Sequence, residues 1–264
     1  MKDKLSILIW GVLRFLCVLI SKQKHHPYTR SLLTRVRRRL ADRIIVSLNE
    51  AKFHPIDLQS LYILTSMYER ELWNFFKPRK GDVFIDVGAH IGKYTVITAK
   101  IVGEDGLVIA IEPHPQNYKT LMKNVMLNRL TNVIAFRLAA WSTQQNLKLY
   151  TADKSGNHSV IRRTPMGFIK VRGKPIDDVV MRLGLSHIDW IKIDVEGAEF
   201  HVIKGLYNTI KKYKPRLIIE VMDKRVFRLM RELGYSSTPI LSKTKNYYFE
   251  WKQKNQLKCN FNPK

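Results

Sequence analysis

The residues best suited to chemistry in this sequence are glycines and acids that follow short apolar runs. The run VFI leads into the segment DVGAHIG, which contains Asp86, Gly88, Ala89, His90 and Gly92. Glycines at a strand end let the backbone turn sharply and approach a ligand, while the next helix presents free N–H groups. A second apolar run, LVIAI, ends at Glu112. An acid at that point can accept hydrogen bonds from both ribose hydroxyls of a nucleoside-containing cofactor.

The glycine spacing separates two classes of nucleoside cofactor. It reads DxGxxxG rather than the GxGxxG pattern of dinucleotide-binding proteins. A glycine turn alone is weak evidence, since it serves equally well as a structural turn. In combination with Glu112 it indicates a nucleoside ligand. A sulfonium cofactor has no pyrophosphate to be held, so the looser spacing favours S-adenosylmethionine over NAD.

A third apolar run carries a dense group of charged residues at its end. The segment contains Lys192, Asp194, Glu196 and Glu199. Carboxylates this close together are costly unless they are solvated, paired or functional. Glu196 and Glu199 could simply favour a helix N-terminus, and Lys192 could pair with an acid or lie at the edge of the core. In the functional interpretation, Asp194 and Glu196 face the methyl donor and orient or deprotonate a substrate hydroxyl.

The elements that position these residues alternate between strands and helices from Gly81 onward. Apolar strands alternating with helices indicate an α/β fold, a doubly wound and mostly parallel Rossmann-like sheet whose ligands bind at the carboxyl ends of the strands. Core strands are predicted at 83–89, 107–113, 133–140, 188–195, 216–221 and 247–251, with helices at 92–102, 116–128, 198–211 and 224–233. Strands 147–150 and 168–171 are predicted to flank loop 151–167, either a lid over the acceptor site or a plain connector.

Three regions are predicted along the chain: 1–27, 28–80 and the catalytic domain 81–264. Residues 28–80 are expected to be a helical extension, with a stripe continuing through 44–48 and a second helix over 57–76. The first region contains a 16-residue apolar run, 5–20, followed by basic residues up to 39. This run is short for a membrane span. We therefore expect a cytoplasmic protein that associates with an anionic membrane surface through residues 5–39, either lying on the membrane or spanning it; the run could instead pack against the domain or a partner.

The charge balance favours anionic partners. The chain has 46 Lys and Arg against 22 Asp and Glu, a net charge of +24. Nucleic acid, anionic lipid and phosphorylated substrates are all compatible with this excess. The two cysteines have no CxxC spacing, and the histidines show no metal-ligand spacing, so no metal site is predicted.

Over roughly 76–221 the sequence resembles the FkbM family of S-adenosylmethionine-dependent methyltransferases. The segments that carry this resemblance are FIDVGAHIGKYT (84–95), IEPHPQNYKTLMKNVMLN (111–128), KPIDDVV (174–180), WIKIDVEGAEFHVIKG (190–205) and RLIIEV (216–221). The resemblance implies a class I methyltransferase fold and methyl transfer to an oxygen, commonly a hydroxyl of a sugar or small metabolite.

The resemblance also implies roles for individual residues. Asp86, Gly88, Ala89, Gly92 and Glu112 would contact the cofactor, while Asp194, Glu196 and Glu199 would lie on the substrate side. His90 stands where the family more often has Asn. Tyr68 and Glu69 resemble a Tyr-Glu pair that would close over the site. In related folds the turn at Trp141 borders the adenine, so this ring could stack there or could be a core residue.

The resulting hypothesis is an O-methyltransferase that acts on a hydroxyl of a sugar, glycolipid or small metabolite. One alternative is an RNA or DNA methyltransferase. The net charge supports this alternative, but the sequence contains no NPPY-type target-base motif. Another is a non-catalytic, membrane-tethered binding protein that keeps the fold. The intact glycine turn and acids argue against this last alternative.

Overall fold

The computed structural model describes residues 44–241 and 244–252. The predicted membrane segment and its basic continuation, 5–39, lie outside these residues, as does the first part of the expected helical extension. The described residues all belong to one compact unit. Within them, none of the helices has both the length and the apolar character needed to cross a bilayer.

The described residues alternate between strands and helices as predicted from Gly81 onward. The strands are β1 (Val46–Leu48), β2 (Ala51–Phe53), β3 (Val83–Val87), β4 (Leu107–Ile111), β5 (Val133–Phe136), β6 (Ala139–Ala140), β7 (Gln145–Tyr150), β8 (Phe168–Lys174), β9 (Trp190–Ile193), β10 (Arg216–Glu220), β11 (Tyr235–Pro239) and β12 (Asn246–Trp251). The α-helices are α1 (Leu58–Ile63), α2 (Lys93–Val102), α3 (Pro115–Leu127), α4 (Ile176–Leu183), α5 (Glu199–Gly205), α6 (Tyr207–Tyr213) and α7 (Arg225–Glu232).

A seven-stranded sheet in the order β11-β12-β10-β9-β3-β4-β5 forms the centre of the fold. The neighbours from β10 to β5 are parallel, whereas β12 runs antiparallel to both β10 and β11. This confirms the predicted doubly wound α/β fold. A separate three-stranded sheet, β6-β8-β7, contains the predicted hairpin around loop 151–167.

Both faces of the central sheet are buried, which explains why its strands are continuously apolar. Every residue of β3 and of β9 is buried. Ile85 and Val87 pack in a cluster with residues of α4 to α7. Phe84, which points to the opposite face, packs in another cluster with Phe76 and with Tyr94 of α2.

The predicted continuation of the helical stripe through 44–48 is wrong, because residues 46–48 form β1 of the β1–β2 hairpin. Its two turn residues, Asn49 and Glu50, both have positive φ values, 47° and 62°, which a tight two-residue hairpin turn requires. Asn128 of the main domain holds β2 by donating to the carbonyl of Lys52 and accepting from its N–H, at 2.7 and 2.9 Å. Tertiary hydrogen bonding therefore outweighs the weak helical periodicity.

The helix predicted over 57–76 is also wrong in length, since α1 ends at Ile63 and a 3₁₀ helix covers Arg70–Asn74. Asp57 caps α1 as an N-cap, accepting from the N–H of Ser60 at 2.7 Å. Glu69 then adopts a left-handed conformation with φ of 52°. Glu69 is thus the residue at which the 3₁₀ helix begins, and its side chain is buried.

Two of the predicted elements are each divided into two in the structure. The strand expected over 133–140 separates into β5, in the central sheet, and β6, which pairs with β8. The helix expected over 198–211 separates into α5 and α6 at Leu206. Gly205 ends α5 in close contact with the backbone of Trp141, because a Cβ atom there would lie 2.1 Å from the Trp141 carbonyl oxygen. Helix α4 and strand β11 were not predicted as elements.

The strand order reverses between β3 and β9, and Gly88 lies at this switch point. The chain passes from β3 outward to β4 and β5, then returns to β9 on the other side of β3. Gly88 follows β3 with φ of 85°, and a Cβ atom built on it would lie 1.8 Å from the carbonyl oxygen of Asp194. Only glycine lets these two strand ends approach so closely.

We predict that Gly88→Ala destabilises the fold far more than Gly81→Ala. Both glycines have φ of 85°, but nothing lies within 4 Å of a Cβ built on Gly81. Gly81→Ala should cost only the strain of a left-handed alanine, about 1 kcal/mol, whereas the backbone clash at Gly88 should bring the loss to about 3 kcal/mol or more. Urea unfolding of both variants measures the difference. Equal losses would show that the strand ends can separate freely.

Candidate active site

A cavity of about 250 Å³ lies at the carboxyl ends of β3, β4, β9 and β10. It brings together most of the residues predicted from the sequence for cofactor and substrate. Those that line it are Glu69, Asp86, Gly88, Ala89, His90, Glu112, Lys192, Asp194 and Glu196. The residues around Asp86 and Glu112 and the acids after β9, which are far apart in sequence, therefore line the same cavity.

Asp86 lies on the floor of the cavity and is almost fully buried, with 1% of its surface exposed. Its Oδ2 accepts a 2.6 Å hydrogen bond from Thr95 Oγ1 of α2. Burial raises the pKa of Asp86, and the opposing charge of Lys192 limits that rise. Lys192 is its direct neighbour across the β3–β9 pair, so the floor combines a carboxyl group and a lysine ammonium group.

Glu112 follows β4 and is held by backbone N–H groups. Its Oε2 accepts from the N–H of His90 and its Oε1 from the N–H of His114, both at 2.8 Å. The side chain is 5% exposed. Burial raises the pKa of Glu112 to about 8, although the two N–H donors favour the ionised form. The acid is thus fixed beside the glycine turn, as the sequence predicted.

Asn117 of α3 is a site residue that the sequence reasoning missed. Its Nδ2 donates to the carbonyl oxygen of Ser155 at 2.9 Å and points toward Glu112 Oε1 at 3.5 Å. Its Oδ1 is buried and, among the described residues, has no hydrogen-bond partner. A buried acceptor without a partner beside Glu112 fits a ligand that carries hydroxyl or amino donors. The signal that the sequence offered for Asn117 is its position five residues after Glu112.

His90 connects the glycine turn to loop 151–167. Its φ is 53°, and its ring Nε2 lies 2.7 Å from Ser155 Oγ. Burial lowers the pKa of His90 to about 4, so the ring is neutral at physiological pH. A histidine here therefore acts as a hydrogen-bonding residue, as an asparagine would, rather than as a cation.

Loop 151–167 closes one side of the cavity and is fastened to α1. The N–H of Ser155 donates to Asp57 Oδ2 and that of Gly156 donates to Gln59 Oε1, both at 2.8 Å. Gln59 Nε2 donates in turn to Asn157 Oδ1 at 2.9 Å. The loop therefore forms part of the cavity wall and is held there by α1.

The opposite end of the cavity is acidic. Lys192 Nζ donates to Asp194 Oδ2 at 2.8 Å, with only 3% of the lysine side chain exposed. Burial alone would lower the pKa of Lys192, but the carboxylates of Asp194, Glu69 and Asp86 raise it. Burial would likewise raise the pKa of Asp194, whereas Lys192 and a hydrogen bond with Glu220 hold it below its usual range. Lys192 is therefore a partner for the acids.

Glu196 lies at the turn after β9, in a left-handed conformation with φ of 54°. Burial, with the nearby charge of Asp194, raises the pKa of Glu196 to about 7. Its carboxylate pairs with Arg162 of loop 151–167, and Ser159 Oγ donates to its backbone carbonyl at 2.7 Å. Loop 151–167 and the acidic turn are thus directly connected.

Glu220, at the end of β10, also lines this end of the cavity and was not predicted. One carboxylate oxygen from each of Asp194, Glu196 and Glu220 lies within 4.8 Å of the others. Lys192 already supplies a positive charge to this group, so we assign no metal ion to it.

Three predicted site residues do not line the cavity. Gly92 begins α2 with φ of 89°, where a Cβ would lie 2.5 Å from Leu121 Cδ1, so its role is packing. Trp141 stacks on His201, with ring centroids 4.0 Å apart and planes inclined by 9°. Glu199 is fully buried and accepts from the N–H of Gly197 at 2.7 Å. These positions support the turns around the site.

Glu69 lines the cavity, but its carboxylate is already occupied by protein donors. Oε2 accepts from Tyr94 OH at 2.6 Å and Oε1 accepts from Asn246 Nδ2 at 2.9 Å. Lys93 Nζ donates to the carbonyl oxygen of the preceding residue, Tyr68, at 3.0 Å. Burial lowers the pKa of Lys93 to about 8. Glu69 therefore ties the 3₁₀ segment to α2 and β12.

Comparison with known proteins identifies the family of this chain. The Methyltransferase FkbM domain model matches residues 86–237, which is more than half of the chain. Methyltransferase 1 of Beauveria bassiana is 25% identical over 170 residues, covering 56% of this chain and 68% of that protein. The hexuronic acid methyltransferase AglP of Haloferax volcanii is 26% identical over 167 residues, covering 61% of this chain and 66% of that protein.

A solved structure shares the fold. The crystal structure of Methyltransferase FkbM from Methylobacillus flagellatus aligns with a TM-score of 0.51 at 18% sequence identity. The alignment covers 70% of this chain and 47% of that one, so the chain spans about half of the length of this structural relative. With the family model and the glycine turn beside Glu112, the chain belongs to the FkbM family of S-adenosylmethionine-dependent methyltransferases.

Proposed function

We propose that this methyltransferase transfers a methyl group to a hydroxyl of a sugar, glycolipid or small metabolite. The observation that carries the proposal is that Asp194 and Glu196 line the same cavity as Asp86 and Glu112. An acceptor bound against the first pair would lie next to a cofactor bound against the second. The similarity to a hexuronic acid methyltransferase supports a sugar acceptor.

The cofactor end of the cavity would be formed by Glu112, Asn117 and the glycine turn. Glu112 would accept hydrogen bonds from the ribose hydroxyls, and Asn117 Oδ1 would gain the donor that it lacks. Asp86, fixed by Thr95, would lie on the floor near the positively charged part of the cofactor. S-adenosylmethionine, when bound, supplies a methyl group already activated on a sulfonium. The protein's main task is therefore positioning.

The acceptor end would orient the hydroxyl and remove its proton. Asp194, kept ionised by Lys192, would accept a hydrogen bond from the hydroxyl and fix its direction. Glu196 would take the proton on a carboxylate oxygen, because a general base is most effective when its pKa lies near the operating pH. Loop 151–167, joined to Glu196 through Arg162 and Ser159, would exclude water from this space.

For the cofactor site, we predict that Glu112→Ala and Asn117→Ala each weaken S-adenosylmethionine binding. Removing a hydrogen-bond partner from a buried site costs about 1–3 kcal/mol, so Glu112→Ala should raise Kd about tenfold, and Asn117→Ala somewhat less. Titration calorimetry on the folded proteins measures both. Trp141→Phe is the matched control and should leave Kd within about twofold of the parent value, since Trp141 lies outside the cavity. Unchanged affinity in both alanine variants would refute this cofactor site.

For the acceptor site, we predict that Glu196→Gln lowers kcat by about 10²–10⁴-fold while leaving cofactor affinity unchanged. The parent enzyme should gain activity as pH rises through about 7, because Glu196 must lose its proton before it can act as a base. The activity of Glu196→Gln should not show this rise with pH. The assay uses labelled methyl donor with a panel of hexuronic acid and hexose glycosides, and mass spectrometry locates the methyl group. Full activity of Glu196→Gln on an accepted glycoside would exclude this base.

A further inference from the structure

Glu220 lies where the strand register places it directly beside Asp194. Ile219 of β10 pairs with Ile193 of β9, so the next residues, Glu220 and Asp194, leave the two parallel strands side by side. Both line the cavity. On its other side Glu220 is paired with Asn246 of β12. Pairing with β12 thus holds its backbone on that side.

This end of the cavity holds three carboxyl groups close together. Asp194, Glu196 and Glu220 each place an oxygen within 4.8 Å of the others. Among the described residues two cations contact them: Lys192, whose Nζ lies 2.8 Å from Asp194, and Arg162, which pairs with Glu196; neither pair includes Glu220. Carboxylates that share a partly buried site repel each other, so one of them retains a proton. A retained proton also permits a carboxyl–carboxylate hydrogen bond.

Of the three acids, Glu220 has the most strongly raised pKa. Burial, the charge of Asp194 and their shared hydrogen bond raise the pKa of Glu220 to about 9, and the charge of Glu196 adds to this, whereas Lys192 opposes it. Asp194, by contrast, has a lowered pKa. Tyr68 faces the same group, and burial together with the surrounding carboxylates raises its pKa, so it stays neutral. At neutral pH the pair therefore consists of a Glu220 carboxyl and an Asp194 carboxylate.

We infer that Glu220 is a positioning residue for methyl transfer: its protonated carboxyl donates a hydrogen bond to Asp194 and holds that carboxylate in place to receive the acceptor hydroxyl. This inference rests on the proposed function of Asp194 and Glu196. Lys192 and Glu220 occupy two of the roughly four acceptor positions of the Asp194 carboxylate. Asp194 also lines the cavity.

Glu220 keeps its proton throughout the reaction. As the acceptor oxygen bonds to the methyl carbon, the hydroxyl proton passes to Glu196. The carbon–sulfur bond of the donor breaks and its electron pair stays on sulfur. Ionisation of Glu220 would place a second negative charge against Asp194 and displace it. The inference therefore requires a proton donor at position 220, not a titrating group.

The first test examines the pair without any acceptor. Infrared titration of the full-length protein should show a protonated carboxyl that is lost in Glu220→Gln, and that titrates near the pKa of about 9 in the parent. In Asp194→Asn the same carboxyl should titrate at lower pH, because the neighbouring charge is gone. Glu250→Gln, at an exposed position of β12, is the control and should remove no protonated carboxyl. A Glu220 carboxylate already ionised at pH 7 in the parent would overturn the inference.

The second test compares two substitutions in methyl transfer to the hexuronic acid and hexose glycosides. Glu220→Gln keeps a hydrogen-bond donor and should retain activity within about threefold, whereas Glu220→Ala should lose about tenfold or more in kcat. Parent activity should decline above pH of about 9, and Glu220→Gln should lack this decline. Equal loss in both variants would overturn the inference, as would Mg²⁺-dependent activation that Glu220→Gln abolishes. If Asp194→Asn and Glu196→Gln both keep full activity, the proposed function fails instead, while the infrared titration still decides the state of Glu220.

Discussion

The close approach of β3 and β9 is the constraint on which the site depends. Gly88 lies so near the carbonyl oxygen of Asp194 that a Cβ atom would overlap it. This contact brings the end of the cofactor strand and the end of the acidic strand to the same edge of the sheet, at the switch point of the strand order. Any separation there would divide one cavity into two surfaces.

Burial then determines the ionisation of the acids that meet at this edge. Asp86 and Glu112 are desolvated, and their pKa values rise accordingly. Asp194 remains ionised because Lys192 lies beside it, although the lysine itself is inside a β-strand. The site thus contains groups of similar chemistry with different proton affinities. Such a division is what an acid–base reaction near neutral pH requires.

The elements that sequence periodicity predicted incorrectly are those whose conformation depends on distant partners. Residues 46–53 form a hairpin because Asn128 completes the hydrogen bonds of Lys52. Residues 198–211 form two helices around Gly205, which packs against the Trp141 backbone. Neither Asn128 nor Trp141 is near those segments in sequence, so the local pattern of apolar residues cannot predict these two contacts. The core strands were predicted because both of their faces are buried and their composition shows it directly.

The sequence by itself determined the fold class, the glycine turn, Glu112 and the acids after β9, because strand ends and turn residues are local features. Only the tertiary structure decided which of these residues meet. It placed Trp141 and Glu199 in supporting positions, and it brought Asn117 and Glu220 into the cavity. The physical reason is that a side chain's role depends on what surrounds it in space. The partners of Asn117 and Glu220 come from loop 151–167 and from β9, which only the folded chain brings close to them.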